Sequence, residues 1–348
     1  MRYAVTGATG HLGAHVVRRL LLDGHEVRAL TIEPTDASVP ALNGLELERV
    51  QADVRDPVAT SRAIERSDVV IHLAARISIV GWESDAVWET NVEGTRNVVE
   101  ACLQHNVRRL VHVSSIHALD PSPGRLAVME DRGPSVHRGL AAYDRSKAAG
   151  EQLVIESAER GLHAVILNPT GMIGPLDTGP SLIGRVLIDV WRERLPVVVQ
   201  GGMNWVDVRD VASTVVAAAR QGRAGARYLV GGSWVRTAEL ARLAADVAGV
   251  RPPTYVAPMW LARFAAGFAS GWYRVARRSP RFTRQALLAL ERYRLVLDTP
   301  ATEELGHRAR PIEQTLQDTY DWFVRTGSIE TTTENAAVRS SANAVPTV

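Results

Sequence analysis

Tyr143 and Lys147 stand four residues apart in AAYDRSKAAGEQLVIE, a stretch that reads as the first turns of a helix. One turn of spacing puts both side chains on the same face. A phenol near pKa 10 is a poor base at neutral pH, but an ammonium beside it stabilises the phenolate and brings the proton within reach. The pair can therefore run acid–base chemistry, although the same spacing also makes an ordinary surface contact. The start of the chain tips the balance. The apolar strand Tyr3-Ala4-Val5-Thr6 runs straight into Gly7, Gly10 and Gly13, then into the amphipathic run Ala14 to Leu22. Backbone amides at such a helix start can face a pyrophosphate, and glycine admits the ligand without a Cβ in the way. The spacing departs from the usual G-x-G-x-x-G fingerprint.

Elements that could position these groups alternate along the chain. Strand patterns at YAVTGA, EVRALT, DVVIHLAA, RLVHVSS and HAVILNP are separated by helical patterns at 12–23, 57–66, 89–105 and 142–160. Strands without period-2 alternation, such as Val69-Val70-Ile71, suit a sheet buried on both faces, and helical crossovers make it parallel. The fold class is α/β with a doubly wound parallel sheet, whose ligands sit at the carboxyl ends of the strands. Gly7, His72 to Ala75, Ser115 and Asn168-Pro169 all fall there.

Composition bounds the function. The 348 residues, 46% hydrophobic and 22% charged, can bury one large core or two modest ones. A formal charge of +2, with arginines scattered beside acids, argues against a nucleic-acid partner. The single cysteine, Cys102, excludes an internal disulfide and reads as a buried small hydrophobe. The first strand begins at residue 2, which leaves no room for a signal peptide, and no apolar run reaches 18 residues. A cytoplasmic protein without a transmembrane segment is expected, and no metal enters the reading.

Taken together, Thr6-Gly7-x-x-Gly10-x-x-Gly13, the strand RRLVHVSSIHAL with Ser114 and Ser115, and Tyr143-x-x-x-Lys147 resemble the extended short-chain dehydrogenase/reductase (NAD-dependent epimerase/dehydratase) family over about residues 1 to 325. Asp53-Val54, His72-Leu73-Ala74-Ala75, Asn91 to Thr95, Asn168-Pro169-Thr170 with Gly174-Pro175, and Val206 to Ala212 follow in the order that family expects. Within the family the chain looks most like the branch holding dihydroflavonol reductases, 3β-hydroxysteroid dehydrogenases and hopanoid-associated epimerase-like proteins. The resemblance implies a Rossmann-type dinucleotide domain over 1–168, with 205–231 returning to it. A smaller, mainly helical substrate domain would span 169–204 and 232–327, and the Thr/Ser/Asn/Ala-rich stretch 328–348 reads as a disordered tail.

The resemblance also implies roles. Pyrophosphate would lie on Gly7 to Gly13 with Thr6, Thr9, His11 and Leu12. Asp53 and Val54 would contact adenine, the alternative for Asp53 being a turn cap. Thr31, Glu33, Leu73, Ala74, Ala75, Asn91, Val113, Asn168, Pro169 and Thr170 would complete the cofactor site. Tyr143 would move the proton, Lys147 would lower its pKa and hold the nicotinamide ribose hydroxyls, and Ser115 would position the substrate oxygen. Ser115 is preferred to Ser114 because the family places the acting hydroxyl at the last serine of such a run, and period 2 sends its neighbour to the other side of the strand. Ser114 then reads as a strand-end hydroxyl bonded to backbone. Ile77, Ile116, His117, Met172 and Trp205 are candidate substrate residues, with His117 more simply a hydrogen-bonded wall. Dimerisation through the helices near 89–105 and 142–160 is likewise implied.

The cofactor is NAD or NADP. An acid ending the second strand selects NAD and an arginine nearby accepts the 2′-phosphate of NADP; Thr31 and Ile32 match neither pattern, which leaves Glu33 for a ribose and Arg28 for a phosphate, with NAD favoured. Ser115-Ile116-His117 stands where nucleotide-sugar dehydratases of the family carry Thr-Asp-Glu, so dehydration is not expected. Trp260, Phe264, Phe268 and Trp272 recur every four residues within 258–284, a segment with six arginines and no acid. That segment could pack as a capping helix, line an apolar substrate's entrance, or make a peripheral contact with an anionic membrane. An oxidoreductase acting on a hydrophobic ring-type alcohol or ketone is the leading reading. A nucleotide-sugar epimerase and a non-catalytic dinucleotide sensor are the alternatives.

Overall fold

A computed structural model describes residues 1–32, 40–78, 84–121, 127–137, 139–266 and 284–329. Strands β1 (Arg2–Thr6), β2 (Glu26–Thr31), β3 (Glu48–Gln51), β4 (Val69–His72), β5 (Arg109–Val113), β7 (Ala164–Pro169) and β11 (Arg227–Val230) form one sheet. Its order is β11-β7-β5-β4-β1-β2-β3, all parallel. Every residue of β4, β5 and β7 is buried, which is why these strands lack alternation. The order reverses direction between β1 and β4, and that switch point opens a crevice at the strands' carboxyl ends.

Alternate side chains of the sheet supply two cores. Tyr3, Val5 and Val27 pack with α1 (His11–Leu22) and α7 (Val208–Gln221) on one side. On the other, Ala4, Val70 and Leu110 pack with α2 (Pro57–Ile64), α4 (Gly94–Gln104) and α5 (Ala142–Glu159). Cys102 is fully buried there, as expected, and burial pushes its thiol pKa up.

Several expected boundaries shift. Helix α2 stops at Ile64 because Arg66 adopts a left-handed backbone (φ 62°). The segment expected as a helix over 89–105 begins earlier, with α3 (Ser84–Trp88), and passes through a π-helical turn at Glu89–Glu93 before α4. Asn91 lies inside that wide turn, the kind of local distortion that redirects a side chain.

A third core joins α6 (Leu182–Trp191), α8 (Thr237–Ala248), the small sheet of β8 (Gly171–Ile173), β10 (Gly202–Asp207) and β12 (Ser233–Arg236), and the helix Ile312–Arg325. Ile329 is buried in it, so the expected tail does not begin at 328; residues 330–348 lie outside the described ones. Around the expected capping segment the described residues make β13 (Tyr255–Ala257) beside β9 (Val197–Val199), a helix over 259–266, the helix Arg284–Ala289, and β14 (Leu295–Val296) beside β6 (Ala127–Val128). Ala266 packs with Val199 and Leu287, and Met259 and Ala262 lie against them. Spacings of three and four put these small residues on the inner face. Trp260 and Phe264 therefore point outward, 70% and 63% exposed, rather than into a packed cap; Phe268 and Trp272 lie outside the described residues.

Helix α5 crosses the π turn at Gly150, where an added Cβ would sit 2.6 Å from the Asn91 carbonyl oxygen. Backbone cannot yield as a flexible side chain does, so Gly150→Ala is expected to lose about 1–3 kcal/mol of stability, read by urea unfolding with circular dichroism.

Candidate active site

The glycine turn assigns each glycine a different task. Gly7 has φ 65°, and a Cβ there would stand 2.7 Å from the Ala74 nitrogen, so this turn touches the end of β4 backbone to backbone. A Cβ on Gly13 would meet the Gly7 carbonyl oxygen at 2.1 Å, which fixes how closely α1 packs on the turn. Gly10 is exposed, with only that same oxygen within reach, at 3.2 Å. It is the N-cap of α1 and gives no side-chain hydrogen bond, leaving the first amides of the helix for an anionic group. Leu12 is buried and Thr9 partly exposed. His11 donates from Nε2 to the Gly174 and Pro175 carbonyls at 3.1 and 2.9 Å, and His15 to Pro175 at 2.9 Å. The side chain of His11 thus pins the Gly174-Pro175 loop.

At the end of β5, the Ser115 hydroxyl accepts the His117 amide at 3.2 Å and lies near enough to the Tyr143 hydroxyl to act on its pKa. Burial pushes the Tyr143 phenol up to about 12, and Ser115 opposes this. Lys147 is buried; its Nζ donates to the Val113 carbonyl at 2.9 Å, and burial pulls its pKa down to about 8 against the pull of Glu151. The lysine was expected to lower the tyrosine pKa. With the site as it stands, burial of the phenol outweighs any such effect. Spacing does place Tyr143 and Lys147 together, and Ser115 joins them from another element.

Glu151, one further turn along α5, is a functional candidate that the sequence reading missed, although its four-residue step from Lys147 was a legible signal. It is fully buried. Its carboxylate pairs with Arg227 at 2.6 Å and accepts from Asn168 Nδ2 at 2.7 Å, while Asn168 also donates to the Ser115 carbonyl at 2.9 Å. A second cluster gathers around the candidate His117 from residues with no sequence signal. His117 lies edge-on to Tyr143 and Tyr293, with ring centroids 6.1 and 5.7 Å away, and its Nδ1 is 3.5 Å from Asp144, which Arg292 approaches at 3.4 Å.

Other expected residues divide. Asp53 takes the Arg55 amide and guanidinium, at 3.0 and 2.6 Å, so it closes its own turn, and this pairing holds its carboxyl below the usual range. Val54 is buried, and a Cβ added at Gly94 would stand 2.7 Å from its side chain. Thr31 ends β2 buried, and Glu33 lies outside the described residues. Arg28 is already engaged: it pairs with Glu48 at 2.9 Å and donates to the Ala63 and Glu65 carbonyls. The Ser114 hydroxyl is buried without a partner rather than bonded to backbone. Ile116 and Trp205 are buried in packed cores, whereas Ile77 is exposed and Met172 partly so. Leu73 and Ala74 are half-buried and Ala75 is exposed at the rim.

The residues fit a dinucleotide. Besides the uncapped helix start, the Ser114 hydroxyl, Asn168 Oδ1 and the Thr170 hydroxyl are buried polar atoms without partners at the ends of β5 and β7, and such groups call for a ligand. Among the described residues no group of His, Cys, Asp and Glu could hold a metal ion, and no helix is long and apolar enough to cross a membrane.

Residues 3–231 match the model of the NAD dependent epimerase/dehydratase family. Sterol demethylase protein B of Methylococcus capsulatus is 34% identical over 331 residues, covering 94% of this chain and 100% of that protein. A putative dihydroflavonol 4-reductase of Synechocystis is 28% identical, covering 94% and 96% respectively. The crystal structure of a nucleoside-diphosphate-sugar epimerase from Pseudomonas aeruginosa superposes with a TM-score of 0.78 at 28% identity, over 95% of this chain and 99% of that one.

A lysine whose pKa falls on folding binds its proton more weakly in the native state, so the penalty of burying the charge is present below about pH 8 and is relieved as pH rises toward 10.5. Wild type should gain roughly 3 kcal/mol across that window from this group, and Lys147→Met should flatten the rise when urea unfolding is followed as a function of pH.

Proposed function

The chain belongs to the NAD dependent epimerase/dehydratase family, and on that premise we propose that it is an NAD-dependent oxidoreductase interconverting a secondary alcohol and a ketone on an apolar ring-type substrate. The observation that carries this is the convergence of the Ser115 hydroxyl on the Tyr143 phenol, whose pKa it lowers, one turn from the buried Lys147 ammonium and beside the glycine crevice. In this reading Gly7 to Gly13 hold the pyrophosphate, Lys147 the nicotinamide ribose, and Asn168 with Thr170 the carboxamide. A bound nicotinamide supplies or accepts the hydride.

The chain's own groups handle the oxygen. Ser115 orients the substrate oxygen toward the Tyr143 hydroxyl. A phenol held near 12 keeps its proton at neutral pH, which suits donation to a carbonyl oxygen. Lys147, drawn to about 8, can give up or regain a proton near physiological pH. NAD is favoured over NADP because Arg28, the cation expected for a 2′-phosphate, is held by Glu48 and two carbonyls.

The apolar substrate is supported by the sterol- and flavonol-related names of the relatives. The likeness to a nucleoside-diphosphate-sugar epimerase favours the second reading, a nucleotide-sugar epimerase, which needs the same hydride step and a cofactor regenerated in every cycle. Retention of both Tyr143 and Lys147 counts against a sensor. Peripheral contact of the exposed Trp260 and Phe264 face with a membrane would suit a lipidic substrate.

Steroids, flavonoids and nucleotide sugars screened with NAD and NADP, with absorbance followed at the reduced-nicotinamide band, should give turnover on a ring-type alcohol or ketone, whereas turnover of nucleotide sugars alone with NAD retained through gel filtration sinks the oxidoreductase reading. On the active substrate, Tyr143→Phe should keep cofactor binding and lose about 100-fold or more in kcat. Lys147→Ala should weaken both.

A further inference from the structure

A line of hydrogen bonds with one polarity runs beneath the crevice from the glycine turn to the catalytic helix. The Thr6 hydroxyl accepts the Leu73 and Ala74 amides, both at 3.1 Å, so its single proton goes to His72 Nδ1 at 2.7 Å. His72 must then carry its own proton on Nε2, which donates to the Thr95 hydroxyl at 3.0 Å; Thr95 donates to the Asn91 carbonyl at 2.7 Å. The Asn91 carboxamide donates to the Ser146 hydroxyl at 2.9 Å, and Ser146 donates to the Tyr143 carbonyl at 2.8 Å. Thr6, His72, Asn91, Thr95 and Ser146 are at most 3% exposed, so water cannot replace a broken link.

Both ends of this line touch the proposed cofactor site. Gly7 follows Thr6 in the turn, and Lys147 follows Ser146 on α5. A charged imidazole would reverse the first link, because it has two donors and no acceptor; burial keeps His72 neutral by pulling its pKa down to about 3. Reversal would also take one of the hydroxyl's two lone pairs from the Leu73 and Ala74 amides.

We propose that this line fixes the spacing between the glycine turn and the Tyr143–Lys147 helix, with His72 as its central positioning residue, so that the two ends of the dinucleotide site are preorganised as one unit. The proposal rests on the reading of the crevice as an NAD site. A dinucleotide bound across both halves gains affinity when neither half has to be ordered on binding.

The test is calorimetric titration of NAD into the full-length chain, which needs no substrate. Thr95→Val and Ser146→Ala, neither of which removes a group assigned to NAD, should each weaken NAD binding about fivefold. Because each breaks the same line, the double variant should also be weakened about fivefold rather than about twenty-fivefold, and Thr95→Ser should restore the wild-type value. His72→Gln, which can keep the donor to Thr95 but places no acceptor where Nδ1 stood, should behave as the other breaks do, and with Ser146→Ala it forms the same cycle if Thr95→Val does not fold. Single variants within twofold of wild type, or a double variant weakened by the product of the singles, overturn the proposal. A wild-type chain that binds no NAD overturns the functional reading with it, whereas NAD binding that the substitutions leave unchanged overturns the coupling alone.

Discussion

Polar groups buried at the carboxyl edge of a sheet covered on both faces have no water to fall back on, and each must find its partner within the fold. This constraint organises the site. The Lys147 ammonium is answered by the Val113 carbonyl, and Asn168 reaches the Ser115 carbonyl while bonding Glu151, itself neutralised by Arg227. A buried acid with two partners in hydrogen-bond range is rigid, because losing either partner leaves an uncompensated charge. Ser115 is therefore held from behind by the strand next to its own. Ser114, Asn168 Oδ1 and Thr170 remain unanswered, and they lie at the strand ends where a bound dinucleotide would be.

The second constraint is distance. Gly7 against Ala74, Gly13 against Gly7 and Gly150 against Asn91 are contacts that a single Cβ would push apart. Each brings two backbones close enough for the hydroxyl and imidazole links between β1, β4, α4 and α5 to close. The packing of small residues and the polar line are thus one device. Without the close approach the hydrogen bonds would be too long, and without the bonds the approach would bury backbone groups unpaired.

Farther out, Asp207 caps α7 and holds Arg209, which also reaches Asp318 on the Ile312–Arg325 helix, while Arg310 grips Asp210 with two nitrogens. These ion pairs tie the third core to the sheet. The cluster of His117, Asp144, Arg292 and Tyr293 similarly sets a wall beside Tyr143 from a segment nearly 150 residues along the chain.

By itself the sequence determined the local parts: the parallel α/β architecture from unalternating strands and helical crossovers, the glycine turn, the one-turn spacing of Tyr143 and Lys147, and the buried fate of Cys102. These depend on periodicity and on single residues, which a linear chain displays. Only the tertiary structure decided that burial raises the Tyr143 phenol, that Arg28 is spent on Glu48, that Ile116 and Trp205 pack inward while Trp260 and Phe264 face out, that Glu151 pairs with Arg227 and Asn168, and that His72 links Thr6 to Thr95. Those outcomes depend on desolvation and on partners far away in sequence, and neither quantity exists until the strands are side by side.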